Sequence, residues 1–378
     1  MLKILNVNMA LDPINGGGTA ERTFQISKAL ARVGTNCAVL TTNTGLCQDR
    51  INGMPGVKII ALPNIFARYH LPGFSYGALK SLIQEYDIVH LMNHWSALNA
   101  VVFLLVKKLN KPYAVCPAGA LPIYGRSKLV KKLYNRVIGD RIIRDANAHI
   151  AIAINEFEHF KKYGIRKEKL TVIPNGISPD DFLSKNAIRF RKKYKLTADP
   201  IIMFVGRLNS IKGPDLLLKA FACAEKKFKK LQLVFAGPDG GMLKKLRRIT
   251  EEKGISDKVN FIGYIDADNK SDAYHAADIV AIPSRQEAMS IVVLEAGIAG
   301  TPVLITDQCG FNEIEVIGGG KVVPATVQGL KTGLCAMLSN GEKLIMMGKK
   351  LKNYVGTNYT WDIIIRKYLD LYHNILAL

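Results

Sequence analysis

The chain has 378 residues, 48% of them hydrophobic, more than one core usually serves, so two domains are expected. A formal charge of +21 and a pI near 9.6 imply an anionic partner, and nucleic acid, anionic lipid and a phosphorylated substrate all satisfy that. Six scattered cysteines, without a C-x2-C pair or clustered histidines, argue against a zinc site and a disulfide framework and fit a reducing cytoplasm. The opening MLKILNVNM runs into polar Asp12 and predicts a buried strand, Leu2 to Val7, in place of a signal peptide. The longest apolar run, Ala97 to Val106, is about half the ~20 residues that a membrane span needs, so a soluble or peripheral protein is expected.

A loop carrying Gly16, Gly17 and Gly18 follows, then an amphipathic helix over Glu21 to Val33 ended by Gly34, then a strand over Cys37 to Thr42. This is the βαβ opening of a parallel sheet, and the glycines let backbone amides approach a ligand at a helix start. A glycine-rich turn without a ligand reads the same way. A dinucleotide fingerprint would need G-x-G-x-x-G and an acidic end to the second strand, whereas GGGTAE and Thr41-Thr42-Asn43 supply neither. Strands are predicted at Val57 to Ala61, Ile88 to Met92 and Tyr113 to Cys116, with a helix over about Ala97 to Leu109. His94 lies just past the Ile88 to Met92 strand, where α/β sheets bind ligands, and is either a ligand contact or an ordinary loop histidine.

Arg126 to Arg144 predicts a helix with Leu129, Val130, Leu133, Tyr134, Val137, Ile138, Ile142 and Ile143 on one side. Seven Lys or Arg and one acid, Asp140, lie elsewhere on it. Either its apolar stripe lies in the core and its basic face in water, or that basic face docks on anionic lipid headgroups. Strands at Ala148 to Ile154 and Leu170 to Ile173 end the first half, and polar Ser178 to Asp199 reads as a linker with a short helix.

The second half restarts the same grammar. Strands are predicted at Ile201 to Val205, Gln232 to Ala236, Val259 to Ile262 and Asp278 to Ile282, and helices at Pro214 to Phe228, Met242 to Lys253 and Lys270 to His275. At the first strand exit, Gly206, Arg207 and Leu208 precede Lys212 and Gly213, a guanidinium and an ammonium suited to a diphosphate. The Walker pattern G-x4-G-K-[ST] is absent. After the fourth strand, Pro283 to Val303 carries Glu287 and Glu295 around a helix start where Ser290 is the expected N-cap and the free N–H groups beyond it favour an anion.

Several stretches share one source. Gly17 to Arg22 (G-G-x-x-E-R), Asp87 to His90 (D-I-V-H), Val172 to Ile177 (V-I-P-N-G-hydrophobic), Glu287 with Glu295 (E-x7-E) and Thr360-Trp361-Asp362 before a closing helix resemble the retaining glycosyltransferases of family 4. The resemblance spans nearly the whole chain. It implies a GT-B fold, α/β throughout, with two doubly wound Rossmann-like domains facing across a cleft. Residues 1–178 would be the acceptor-side domain, 179–360 the nucleotide-sugar donor domain, and 361–378 a helix returning to the first.

It also implies a hexose-type sugar moving from a nucleotide diphosphate sugar to a hydroxyl of a saccharide or lipid-linked saccharide, in cell-surface polysaccharide, lipopolysaccharide or glycolipid synthesis. Arg207 and Lys212 would hold the donor diphosphate, Glu287 the sugar hydroxyls and Glu295 the ribose. Backbone at Met289, Ser290, Ile291 and Val292 would meet the phosphate, Gly263 and Tyr264 the nucleobase, and Gly17, Gly18 and Gly206 would line the donor site, with His94 on the acceptor side. No metal, cofactor or nucleic acid is expected, and the protein would be cytoplasmic or peripheral on the inner face of the membrane. Many members have Phe-Gly where Met289 and Ser290 stand, and His where Ala118 stands. A non-catalytic nucleotide- or polyanion-binding protein and a GT-B sugar-nucleotide epimerase are the alternatives.

Overall fold

The computed structural model describes residues 1–66, 70–123, 127–183, 186–228 and 230–377. Arg126 and Leu378, the outer ends of two predicted helices, and Ser184 and Lys185 of the predicted linker lie outside the described residues. The chain divides into two compact units, Met1–Asn175 with Trp361–Leu378, and Gly176–Thr360.

The first unit is built on a parallel sheet in the order β3-β2-β1-β6-β7-β8-β9. Its strands are β1 (Lys3–Val7), β2 (Asn36–Thr42), β3 (Lys58–Leu62), β6 (Ile88–Met92), β7 (Tyr113–Cys116), β8 (Ala148–Ala151) and β9 (Leu170–Val172). An antiparallel pair, β4 (Asn64–Phe66) and β5 (Leu71–Pro72), follows β3. The second unit has the order β12-β11-β10-β13-β14-β15, all parallel. These are β10 (Ile201–Val205), β11 (Gln232–Ala236), β12 (Val259–Gly263), β13 (Ile279–Ile282), β14 (Val303–Thr306) and β15 (Gly320–Val323). The central strands are near-continuous apolar runs because helices cover both of their faces. In each sheet the order reverses once, between β1 and β6 and between β10 and β13. Loops leaving the carboxyl ends of those strands flank the crevice in which open α/β sheets hold ligands.

The closing helix, Trp361–Leu376, buries Trp361, Ile364, Ile365, Tyr368, Tyr372 and Ile375, a helical spacing that puts them on one face. That face belongs to the first unit. Arg22, only 2% exposed, donates to the Ile173 carbonyl (3.0 Å), the Asn175 side chain and the Tyr368 hydroxyl, and Tyr372 pairs with His90 Nδ1 (2.7 Å).

Two expectations are corrected. Gly16 to Gly18 do not form a loop ahead of the helix: Asp12 caps a helix that starts at Pro13, its carboxylate accepting from the Asn15 N–H (2.8 Å). Gly17 breaks that helix with φ 58°, ψ −142°, a conformation open only to glycine, and the chain then continues helically to Arg32. The second correction concerns the basic helix, which is helical over Lys128–Tyr134, passes a π turn at Asn135–Gly139 and ends at Asp140–Arg144. Its apolar stripe is not all core. Ile142 and Ile143 are buried, but Leu129, Leu133 and Val137 are 81%, 61% and 67% exposed. Among the described residues no helix is long and apolar enough to cross a membrane.

Candidate functional site

In the second unit, the loops leaving β10 and β13 meet at the switch point. The Arg285 N–H donates to the Ile211 carbonyl (2.7 Å), and Gly213 packs so closely that a Cβ there would lie 2.1 Å from the Pro283 carbonyl oxygen. With φ +65° as well, position 213 accepts only glycine. This approach brings Lys212 Nζ to 2.6 Å from Glu287 Oε1. The Ser284 hydroxyl donates to Glu287 Oε2 (2.9 Å), and the Glu287 N–H donates to the Gln308 carbonyl beyond β14 (2.9 Å). Arg207 stands exposed on the same β10 loop. The other flank of that loop is stitched to residues 237–240 through Leu208 N–H to Pro238 O (2.9 Å) and Gly240 N–H to Leu208 O (3.0 Å).

Beyond Glu287 the chain enters the Ile291–Ala299 helix. Ser290 sits at the N-cap with extended backbone, but its side chain makes no capping bond, which corrects the expected cap. Its hydroxyl is buried without a partner. The first N–H groups of a helix lack intrahelical partners as well, so this helix start carries donors suited to an anion. Ile291 and Val292 open that turn half-buried, and Met289 is buried behind it.

Glu295 lies further along the helix, 4% exposed, with the Lys270 ammonium on Oε1 and the Tyr274 hydroxyl on Oε2 (2.5 Å). Burial first, and then the Glu295 charge, push the Tyr274 hydroxyl well above its ordinary pKa, so it stays a donor. The carboxylate is therefore held in one orientation, apart from the Lys212–Glu287 pair. At the next strand exits Gly206 N–H donates to Ala236 O (2.8 Å) and Gly237 N–H to Gly263 O (2.7 Å), and Tyr264 is half-exposed past the end of β12.

The first unit holds the remaining predicted residues. Gly17 and Gly18 flank the helix break, and Glu21 just beyond is taken by Arg50 (2.9 Å), which also donates to the Leu11 carbonyl (3.1 Å) and stacks on Phe24 at 3.7 Å. The acidic residue of that motif is thus held by Arg50, while its basic residue, Arg22, is spent on Ile173, Asn175 and Tyr368. His94 does stand at the switch point, past β6, with its side chain fully buried. Its Nε2 pairs with Asn135 Oδ1 (2.8 Å) in the π turn, and Trp95, Tyr134 and Tyr163 present their edges or faces to it. Burial lowers its pKa to about 4, with Asn135 and Asp140 opposing, so it is neutral at pH 7. Sequence reading missed Arg285, Asp215, Lys270, Tyr274 and the buried Glu156, which accepts from the Gly119 N–H (2.5 Å) and fixes the loop around Ala118. Of these only Lys270 and Tyr274 carried a signal, an i,i+4 pair on one helix face.

Residues 16–181 match the family model described as Glycosyltransferase Family 4, and residues 186–354 the model described as glycosyl transferases group 1. The chain belongs to glycosyltransferase family 4. Among curated relatives of this glycosyltransferase, the D-inositol 3-phosphate glycosyltransferase of Corynebacterium urealyticum is 24% identical over 412 residues, covering 99% of this chain and 96% of the relative. The protein of the same name from Xylanimonas cellulosilytica is 27% identical over 329 residues, 79% of this chain and 78% of the relative. Among solved structures, sucrose-phosphate synthase from Thermosynechococcus elongatus superposes with TM-score 0.80 at 21% identity, covering all of both chains. Anabaena HepE in complex with UDP and glucose gives 0.80 at 18% identity, covering 98% of this chain and 99% of that one. These likenesses establish the GT-B fold, two Rossmann-like parallel-sheet domains.

Proposed function

We propose that this glycosyltransferase moves a hexose-type sugar from a nucleoside diphosphate sugar to a hydroxyl of a saccharide or lipid-linked saccharide, with retention of anomeric configuration, in building a cell-surface polysaccharide, lipopolysaccharide or glycolipid. The observation that carries the reading is the convergence of Lys212 and Glu287 beside the unpartnered Ser290 hydroxyl at an open helix start. Cation and helix N-terminus together suit a diphosphate, and a carboxylate beside them suits the hydroxyls that flank it.

In the transfer, the bond from the anomeric carbon to the phosphate oxygen breaks as the acceptor oxygen bonds to that carbon on the same face. The acceptor's proton passes to the departing phosphate oxygen, so no protein nucleophile is needed. Negative charge grows on the leaving phosphate, and preorganised donors aimed at it are worth about 10²- to 10³-fold in rate each. Arg207 and Lys212 fill that role without a metal. Glu287 would take sugar hydroxyls, and Glu295, steadied by Lys270 and Tyr274, the ribose. Met289 to Val292 would supply backbone to the phosphate, Gly206 would line the donor site, Gly263 and Tyr264 would border the nucleobase, and Gly17 and Gly18 would offer ligand-facing backbone in the first unit. The first unit would act as acceptor domain, the second as donor domain. The Lys128–Arg144 segment, with basic and apolar side chains both exposed, would rest on an anionic membrane surface from the cytoplasmic side.

A thermal-shift panel of nucleoside diphosphate sugars tests the donor, since ligand at about 100 times its Kd adds roughly 2.7 kcal/mol to the native state. Proton NMR of the first product formed in EDTA then tests the stereochemistry. An inverted anomer removes the retaining reading, and loss of all activity in EDTA removes the metal-free one.

A further inference from the structure

A lysine on a surface loop is useful to a diphosphate only if the backbone beneath it is held, because a flexible stem spreads the charge over many positions. Lys212 lies between Ser210 and Asp215, and Arg285 grips the chain on both sides of it. The guanidinium donates to the Ser210 carbonyl (2.6 Å) and forks onto both Asp215 oxygens (2.9 and 2.8 Å), while the Arg285 N–H donates to the Ile211 carbonyl (2.7 Å). Arg285 also precedes Glu287 by two residues, and Glu287 receives the Lys212 ammonium. One residue therefore couples the segment that supplies the cation to the segment that supplies the carboxylate. Asp215 opens the Pro214–Ala224 helix, so the clamp is anchored to a regular element whose core face includes buried Leu217, Leu218 and Phe221. Burial opposes its ionisation, but the Arg285 bonds outweigh that and hold Asp215 below the usual carboxylate range.

We propose that Arg285 is a positioning residue for nucleoside diphosphate binding: by clamping Ser210, Ile211 and Asp215 it sets where the Lys212 ammonium stands, acting through Lys212 and not by contact with the ligand. This rests on the reading that Arg207 and Lys212 hold a donor diphosphate. A planar fork is required, since an ammonium cannot span both Asp215 oxygens and the Ser210 carbonyl at once.

The test titrates UDP, GDP and ADP by calorimetry into the parent protein, Arg285→Ala, Arg285→Lys and Lys212→Ala, with a thermal midpoint recorded for each. For whichever nucleotide the parent binds, Arg285→Ala is expected to weaken affinity about tenfold or more, the order of loss that a misplaced binding group brings. Arg285→Lys should keep the parent's thermal midpoint and still bind weakly. Dilute, non-denaturing guanidinium chloride should restore affinity to Arg285→Ala, and methylammonium chloride at the same ionic strength should not. Parent-like affinity in both Arg285 variants while Lys212→Ala is weakened would overturn the positioning role alone, as would equal rescue by methylammonium. A parent that binds none of the three nucleotides would overturn the donor reading and this inference with it.

Discussion

Lys212 Nζ donates to Glu287 Oε1 at 2.6 Å, so the cation and the carboxylate proposed to meet the donor are paired with each other. The pair is partly buried, its side chains 30% and 14% exposed, and on the proposed reading a bound diphosphate would take over the ammonium and free Glu287 for hydroxyls. Lys212→Ala and Arg207→Ala are each expected to lower kcat about 100-fold at saturating donor with the fold intact. Because Lys212 and Glu287 act as a unit, adding Glu287→Gln to Lys212→Ala should cost less than the product of the single effects. Initial rates for the four proteins check this, and full additivity would show that the pair is incidental.

The motifs that identify the family were legible because each is local: a glycine turn, a strand exit, a helix start. The partners that hold them were not. Arg22, the last residue of the opening motif, meets Ile173 and Tyr368 across separations of 151 and 346 residues, a relation no spacing rule contains. Asp12-Pro13, an acidic cap followed by proline, is the start signal of the first helix, and the glycines that follow it mimic a later one. The basic helix admits two readings for a different reason. Helical periodicity says which residues share a face and not whether that face is covered, so the sequence alone does not show that Leu129, Leu133 and Val137 are exposed. Between Val303 and Thr360 the sequence carries no motif, so nothing in it marks β15 or the Val327–Leu338 and Gly341–Asn358 helices.

Glu295 depends on two neighbours, the Lys270 ammonium and the Tyr274 hydroxyl. Lys270→Met leaves a nearly buried carboxylate without its counter-charge, which is expected to cost about 1–3 kcal/mol. Tyr274→Phe should be milder, about 1 kcal/mol, because Lys270 remains. Denaturant unfolding followed by hydrogen exchange in the second unit measures both. Glu295→Gln should in addition weaken nucleoside diphosphate binding, and unchanged affinity by calorimetry would take Glu295 off the ribose.

Three buried histidines of the first unit, His90, His94 and His149, are held below their ordinary pKa by burial, and the first two are shifted furthest. Burial brings His94 from its ordinary 6.5 to about 4, and His90 to about 3, so both are neutral when folded at pH 7. Below about pH 6.5 the unfolded chain takes up protons that the folded chain refuses, so stability falls as pH drops from about 6.5 toward 4. Each histidine contributes a slope of up to about 1.36 kcal/mol per pH unit. The chain's two tryptophans, Trp95 and Trp361, both lie in the first unit, so their fluorescence reports its unfolding alone. Urea titrations from pH 7 to 5 should show the loss, and His94→Gln should remove about one proton's worth of the slope. A parent whose stability is flat over that range would contradict the burial of both rings.

The Lys128–Tyr134 helix and the π turn after it leave Leu129, Leu133 and Val137 exposed on one side, with exposed Lys128, Lys132 and Arg136 beside them. An anionic bilayer offers something to each set. Each Lys or Arg near the surface adds about 1 kcal/mol, an attraction screened within a Debye length of roughly 10 Å at 0.1 M salt. An apolar side chain moved out of water adds up to about 1.5–3 kcal/mol and is not screened by salt. Two variants separate the terms. Replacing Lys128, Lys132 and Arg136 with Gln should abolish co-sedimentation with anionic vesicles at low salt, since the apolar residues alone do not bring a chain of this charge to one orientation on the surface. Replacing Leu129, Leu133 and Val137 with Ser should leave binding at low salt but make it vanish at a salt concentration that the parent tolerates. Neutral vesicles should bind none of the three proteins. Neither set touches Arg207, Lys212 or Glu287, so turnover on a soluble acceptor should stay near that of the parent. If both variants co-sediment as the parent does at low and high salt, the exposed side of this helix faces water and the membrane contact is not here.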